Sequence, residues 1–102
     1  MNYLPCSKIP REFKPSLEEI KGWIIEDVWV DKYDGWEPHI QAIKHENGDI
    51  SLRFCAYLKR EGKSIWSPYT FCFYDWTIND LKEEINKCNA DIIKMLLKKF
   101  FE

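Results

Sequence analysis

The chain lacks any apolar run near the roughly 20 residues that a membrane span needs, and its opening residues MNYLPCSKIPREFKP hold no apolar signal-peptide core. Both absences point to a cytoplasmic protein with no membrane contact. Glycine and proline are scarce, four and five in 102 residues, and no segment repeats or turns low in complexity, which excludes collagen-like runs, solenoids and flexible linkers. The four cysteines, Cys6, Cys55, Cys72 and Cys88, never form a Cys-x-x-Cys pair, and His39 and His45 are the only histidines. No metal site and no cofactor are therefore expected. In a reducing compartment the thiols read as small apolar fillers.

The motifs of catalysis are missing too. There is no Gly-rich phosphate loop and no Gly-x-Ser-x-Gly elbow, and no motif ties a histidine to a nucleophile. The acidic pairs Glu18/Glu19, Glu26/Asp27 and Glu83/Glu84 read as solvated charge on helix faces or sheet edges. A non-enzymatic protein is expected. Excess positive charge is also lacking: fifteen basic against seventeen acidic side chains give a net charge of −2, unlike a protein that coats duplex DNA. Only the middle of the chain is positive, residues 39–63 holding five basic and three acidic groups.

What the chain has in abundance is aromatic surface: five Trp, six Phe and five Tyr, enough to build one core in a chain of this length. Residues 1–15, with three prolines, read as an extended arm, and residues 16–102 as a single domain. Ser16-Leu17-Glu18-Glu19 fits a capping box opening a short helical turn that ends at Gly22. Trp23 to Val30 is rich in β-branched and aromatic residues and reads as a strand, with a helix from Ser16 through Val30 as the competing expectation.

Trp36 to His45 runs into Asn47-Gly48, a strong hairpin signal. Ile50 to Arg60 then alternates, with Ile50, Leu52, Phe54, Ala56 and Leu58 on one face and Ser51, Arg53, Cys55, Tyr57 and Lys59 on the other. A two-residue turn would bring Ile43 to the core side. A three-residue turn with a glycine bulge instead brings Ile40 and Ala42 there and leaves His39, Gln41 and His45 on the open face, burying fewer polar groups. Trp66 to Trp76 reads as a further strand, in a register that pairs Phe54 with Phe73. A helix follows, capped by Thr77, with Ile78, Leu81, Ile85, Cys88, Ile92 and Met95 as its sheet-facing stripe and Asn89 as a candidate break.

The expected fold is α+β: an antiparallel sheet of three to four strands, with a long C-terminal helix packed on one face. Ile92, Ile93, Leu96, Leu97 and Phe100 widen the apolar surface beyond one stripe and are candidates for a homodimer interface, the arm being the other candidate cover. On the open face His39, Gln41, Arg53, Tyr57, Lys59 and Tyr74 project together, with Trp36, Lys63 and Trp66 at its ends, so ring faces stand beside cations. That mixture suits single-stranded nucleic acid, which offers bases to stack and phosphates to neutralise. It equally suits a protein partner, since Tyr, Trp and Arg dominate interface hot spots. The second reading is an adaptor or inhibitor of the phage or mobile-element type, for example one that blocks a host defence or regulatory protein.

Residues 35–101 resemble the single-stranded-DNA-binding transcriptional coactivator family of positive cofactor four. The likeness is carried by Gly35-Trp36, the strand Pro38 to Lys44, the turn Asn47-Gly48-Asp49, the strand Ile50 to Leu58 with Arg53 inside it, Phe71-Cys72-Phe73, and the helix opening Trp76-Thr77-Ile78-Asn79-Asp80-Leu81. The resemblance implies a curved antiparallel sheet, a C-terminal helix, dimerisation and backbone contacts from Lys44, Arg53, Lys59 and Lys63. Where that family carries a Gly-Lys-Gly type segment, this chain has Ser67-Pro68-Tyr69-Thr70, with neither Gly nor Lys.

Overall fold

Asn47-Gly48 organises the largest hairpin. In the computed structural model, which describes residues 21–67 and 70–102, the His45 N–H donates to the Asp49 carbonyl (2.8 Å) and the Gly48 N–H to the His45 carbonyl (2.9 Å). Gly48 sits at φ 91°, a left-handed conformation that glycine adopts without strain. This is the three-residue turn with a glycine bulge. It pairs β2 (Trp36–His45) with β3 (Ile50–Arg60) so that Ile40 faces Phe54 and Ala42 faces Leu52. The expected faces of both strands follow from that register.

β1 (Gly22–Trp29) pairs antiparallel with β2, and β4 (Lys63–Trp66) with β3, giving a curled sheet in the order β1-β2-β3-β4. Residues 23–29 are thus strand rather than helix. Gly22 starts this strand. A Cβ there would lie 2.3 Å from the Lys44 carbonyl oxygen, so glycine is required for the close approach of β1 to β2. The arm of residues 1–15 and the expected helical turn before Lys21 lie outside the described residues.

The strand expected over Trp66 to Trp76 is replaced by a four-residue strand. Glu61 and Gly62 both take positive φ (50° and 77°), the tight reversal of a two-residue hairpin, so β4 folds back at once and pairs Tyr57 with Trp66 and Leu58 with Ile65. One more backbone bond follows, from the Ser67 N–H to the Ala56 carbonyl (3.2 Å), and Pro68 has no N–H to extend the ladder. Phe73 still returns over the sheet, its ring 6.3 Å from that of Phe54, but through side chains and not strand pairing.

Two helices replace the single long one. α1 (Asp75–Cys88) stops at Asn89, whose left-handed conformation (φ 53°) terminates a helix as glycine would, and α2 (Asp91–Phe100) restarts after Ala90. α1 begins two residues before Thr77, so Thr77 lies buried in the first turn and Asp75 accepts the Trp76 N–H (2.9 Å). The helices pack on Val28, Val30, Ile40 and Ala42 of the sheet through Leu81, Ile85, Ala90 and Ile93. Ile78 and Met95, expected in the buried stripe, are about half exposed. Among the described residues, no helix is long and apolar enough to cross a membrane.

The junction of sheet and helices is set by a bulge in β1. The register shifts between Ile24 and Glu26, so Ile24 faces Ile43 whereas Glu26 faces Ala42 and points to the helix side. There the buried Glu26 carboxylate accepts the N–H groups of Ile92 (3.1 Å) and Ile93 (2.8 Å), two of the amides that a helix start leaves without partners. Replacing Glu26 with alanine strands both donors, and the expected cost is about 2–3 kcal/mol. Glu26→Gln should restore part of it, with urea denaturation midpoints measuring both.

Candidate binding surfaces

Two faces of the sheet compete for a functional role. The face away from the helices was expected to be open, and instead it buries its polar groups. β2 is buried from Glu37 through Ile43 without interruption, so His39 and Gln41 are fully enclosed. The His39 ring is held at both nitrogens: Nδ1 lies 2.5 Å from Asp27 Oδ1 on β1, and Nε2 lies 2.7 Å from Glu37 Oε1 two residues away on its own strand. Both contacts are hydrogen bonds when the ring carries a proton on each nitrogen. Trp29 meets the ring edge-on (4.9 Å) and Tyr57 lies against it at 4.5 Å.

The network continues across β3 and β4. Gln41 Nε2 donates to the Tyr57 hydroxyl (3.3 Å), and the Cys55 thiol donates to Gln41 Oε1 (3.4 Å). The Ser64 hydroxyl donates to the second Glu37 oxygen (3.4 Å). Arg53, also buried, places its guanidinium 5.0 Å from the centre of the Trp66 ring. Both His39 nitrogens are engaged and the ring is fully buried, while the second Asp27 oxygen is buried without a hydrogen-bond partner among the described residues. The chemistry of the row is that of a cross-link between β1, β2 and β3.

The sequence-derived site residues accordingly fall apart into separate groups. His39, Arg53 and Tyr57 are buried in the polar layer, and Trp66 is half-buried against Arg53. Lys59 is committed to the segment before β2, bonding the carbonyls of Asp31 (2.9 Å) and Tyr33 (2.8 Å) and the Asp31 carboxylate (2.8 Å). Lys44 and Lys63 are exposed at opposite ends of β3's pairing, against Ile50 and Arg60. Ten residues of strand, about 30 Å, separate those ends. Trp36 stacks between Tyr33 (5.1 Å) and Phe71 (6.1 Å), and Tyr74 stacks on Trp76 at 4.3 Å.

The candidate dimer stripe also divides. Ile93 is fully buried in the core of its own chain, Ile92, Leu96 and Leu97 pack partly against that core, and Phe100 alone is largely exposed. Among the cysteines, Cys55 and Cys72 are free thiols, Cys72 exposed and so no filler, while Cys88 is disulfide-bonded. Among the described residues, no three His, Cys, Asp or Glu side chains converge to hold a metal.

The helix side carries the feature that the sequence reading missed. A groove of about 480 Å³ opens between β3, α1 and α2. Its buried base is Ile40, Leu81 and Ile85; Phe73 and Leu97 are half-buried in its walls. Phe54, Ile78 and Phe101 stand at the mouth with 51%, 54% and 81% of their surface exposed. Among the described residues, the polar lining is Lys82, Asn86 and Lys94, with no carboxylate. Phe54 and Ile78 had been read as core, and the surplus apolar residues of the C-terminal helix were the signal that pointed this way.

Two outcomes test the buried layer. Removing only the imidazole, by His39→Leu, leaves Asp27 and Glu37 buried and facing an apolar group, at an expected cost of about 3–5 kcal/mol in urea denaturation. Replacing all three with Asp27→Leu, Glu37→Met and His39→Leu should recover most of that loss. Burial pushes the Tyr57 phenol up to about 12, with Cys55 and Asp27 adding to it. Because the folded chain favours the neutral phenol, this stabilisation is complete below pH 10 and is lost as pH rises from 10 to 12, by about 2–3 kcal/mol. Ultraviolet titration should show one tyrosine ionising with unfolding and not before it. Compared with models of known families, with curated proteins and with solved structures, the chain matches none.

Proposed function

We propose that this chain is a non-enzymatic protein-binding module that takes an apolar segment of a partner into the groove between β3 and the two helices. The observation that carries the reading is the mouth of that groove. Phe54, Ile78 and Phe101 stand largely in water at the mouth of one mainly apolar cleft, and exposed apolar surface gathered at one place marks interaction sites. Tyr74, Trp76 and Phe100, all at least half exposed, add large apolar side chains to the helix side, and aromatic anchors are the residues that dominate interface energies. An adaptor or an inhibitor that masks a regulatory protein is the class of activity such a surface serves.

Single-stranded nucleic acid is the less favoured ligand for a geometric reason. The resemblance to the coactivator family assigns contacts to Lys44, Arg53, Lys59 and Lys63, yet Arg53 is buried, Lys59 is tied to Asp31, and the other two lie at opposite ends of the sheet. A base has no access to Tyr57 at 3% exposure, whereas stacking requires an open ring face.

A displayed peptide library selected on the wild-type chain tests the proposal. Selected peptides should shift the amide resonances of α1, α2 and β3, and Ile78→Asp or Phe54→Asp should weaken them at least about tenfold. Both positions are half exposed, so the variants should keep the fold, which the same spectra report. A library that yields no binder, or binders that map away from the groove, would overturn the reading. Tight binding of a mixed single-stranded oligonucleotide in fluorescence anisotropy would restore the nucleic-acid alternative.

A further inference from the structure

We infer that the groove's occupant is an amphipathic α-helix with acidic residues flanking its apolar stripe, an inference that rests on the protein-binding reading above. The argument begins with the backbone of whatever enters. An extended segment brings one unpaired N–H and one C=O per residue, and among the described residues lining the groove Asn86 is the single neutral polar side chain. Those groups would be buried without partners, at a cost no apolar contact in the cleft offsets. A helix closes its own backbone bonds and inserts side chains alone, in the i, i+3 or i+4, i+7 spacing of groove-bound helices. A cleft of about 480 Å³ holds side chains of such a stripe, not a folded backbone.

Charge selects among helices. The two cations of the groove, Lys82 on α1 and Lys94 on α2, come from different walls. Both are exposed, and the ion pairs around them join other residues: Lys32 with Asp80, Lys87 with Glu84 and Lys98 with Glu102. Among the described residues, no carboxylate lines the cleft. A helix with carboxylates on both flanks of its stripe meets one cation on each side, and a helix with basic flanks meets repulsion on both. A short acyl chain could fill the cleft, but would leave Phe54, Ile78 and Phe101 in water, so a polypeptide accounts for more of the exposed surface.

The test uses two synthetic helices of about 18 residues with the same Leu/Phe stripe, one flanked by Glu and one by Lys, titrated into the full chain at low salt. The Glu-flanked helix should bind about tenfold more tightly, with the gap narrowing as salt rises. Lys82→Glu combined with Lys94→Glu should reverse the order, and amide spectra should show the fold intact. Equal binding of both helices would overturn the acidic-helix inference while leaving the protein-binding module standing. The same follows if neither helix binds but library peptides still map to the groove. If neither helix binds and the library is empty, both readings fall. Sedimentation showing a dimer that Ile78→Asp dissociates would assign the groove to a second copy, and dodecanoate saturating the groove resonances would assign it to a lipid; either result overturns the inference.

Discussion

β2 is buried on both of its faces, and most of the architecture answers that constraint. A strand covered on one side can alternate apolar and polar residues and leave the polar set to water. Here Glu37, His39 and Gln41 have no water to face, so each must find a partner inside the protein. The carboxylates of Asp27 and Glu37 lie within hydrogen-bond distance of the two nitrogens of His39 and meet that demand for its ring. Gln41 meets it through Tyr57 and Cys55. The partners come from β1, β2 and β3 at once, so the polar layer fixes the relation of three strands. Such a cluster specifies geometry more than it adds stability, because the desolvation of its charges offsets most of their attraction.

The opposite face depends on a single extra residue. Without the bulge at Ile25, Glu26 would keep the parity of Ile24 and enter the polar layer, while Asp27 would turn to the helix side and leave His39. With it, Glu26 crosses to the helix side and captures the first amides of α2. The position of α2 is therefore written into β1, 66 residues upstream. That long-range bond lets a ten-residue helix hold its place, a length at which isolated helices are marginal.

Local patterns in the chain disclosed the pieces but not these couplings. The alternation from Ile50 to Leu58, with a preference for burying the fewest polar groups at the Asn47-Gly48 turn, identifies the faces of β2 and β3 as they are found. Asn89 breaks the helix, as its αL tendency allows. The β4 register was illegible because Glu61, not a glycine, takes the first positive φ of its turn. The enclosure of His39 was illegible for a different reason. Pattern reading weighs a polar residue by its affinity for water, whereas Asp27 lies twelve residues away and enters only through strand pairing. Phe54 illustrates the same limit from the other direction: its parity is right, and yet half of it is exposed at the mouth of the groove.

The groove arises from that same division of labour. The helix pair buries its central residues, Leu81, Ile85 and Ile93, on β1 and β2, where the sheet is anchored from behind by the polar layer. Toward β3 the cover thins. The Asn89 break shortens α1, α2 is held at its N-terminal end by Glu26, and the far end of α2 leaves Phe100 and Phe101 in water. One face of the sheet is spent on an internal network and much of the other on the helices, and the groove lies where that helical cover thins. There the described apolar side chains stand beside Lys82 and Lys94 with no carboxylate among the described lining residues, and that pairing of apolar surface with cations is the ground on which an acidic helix is inferred as the occupant.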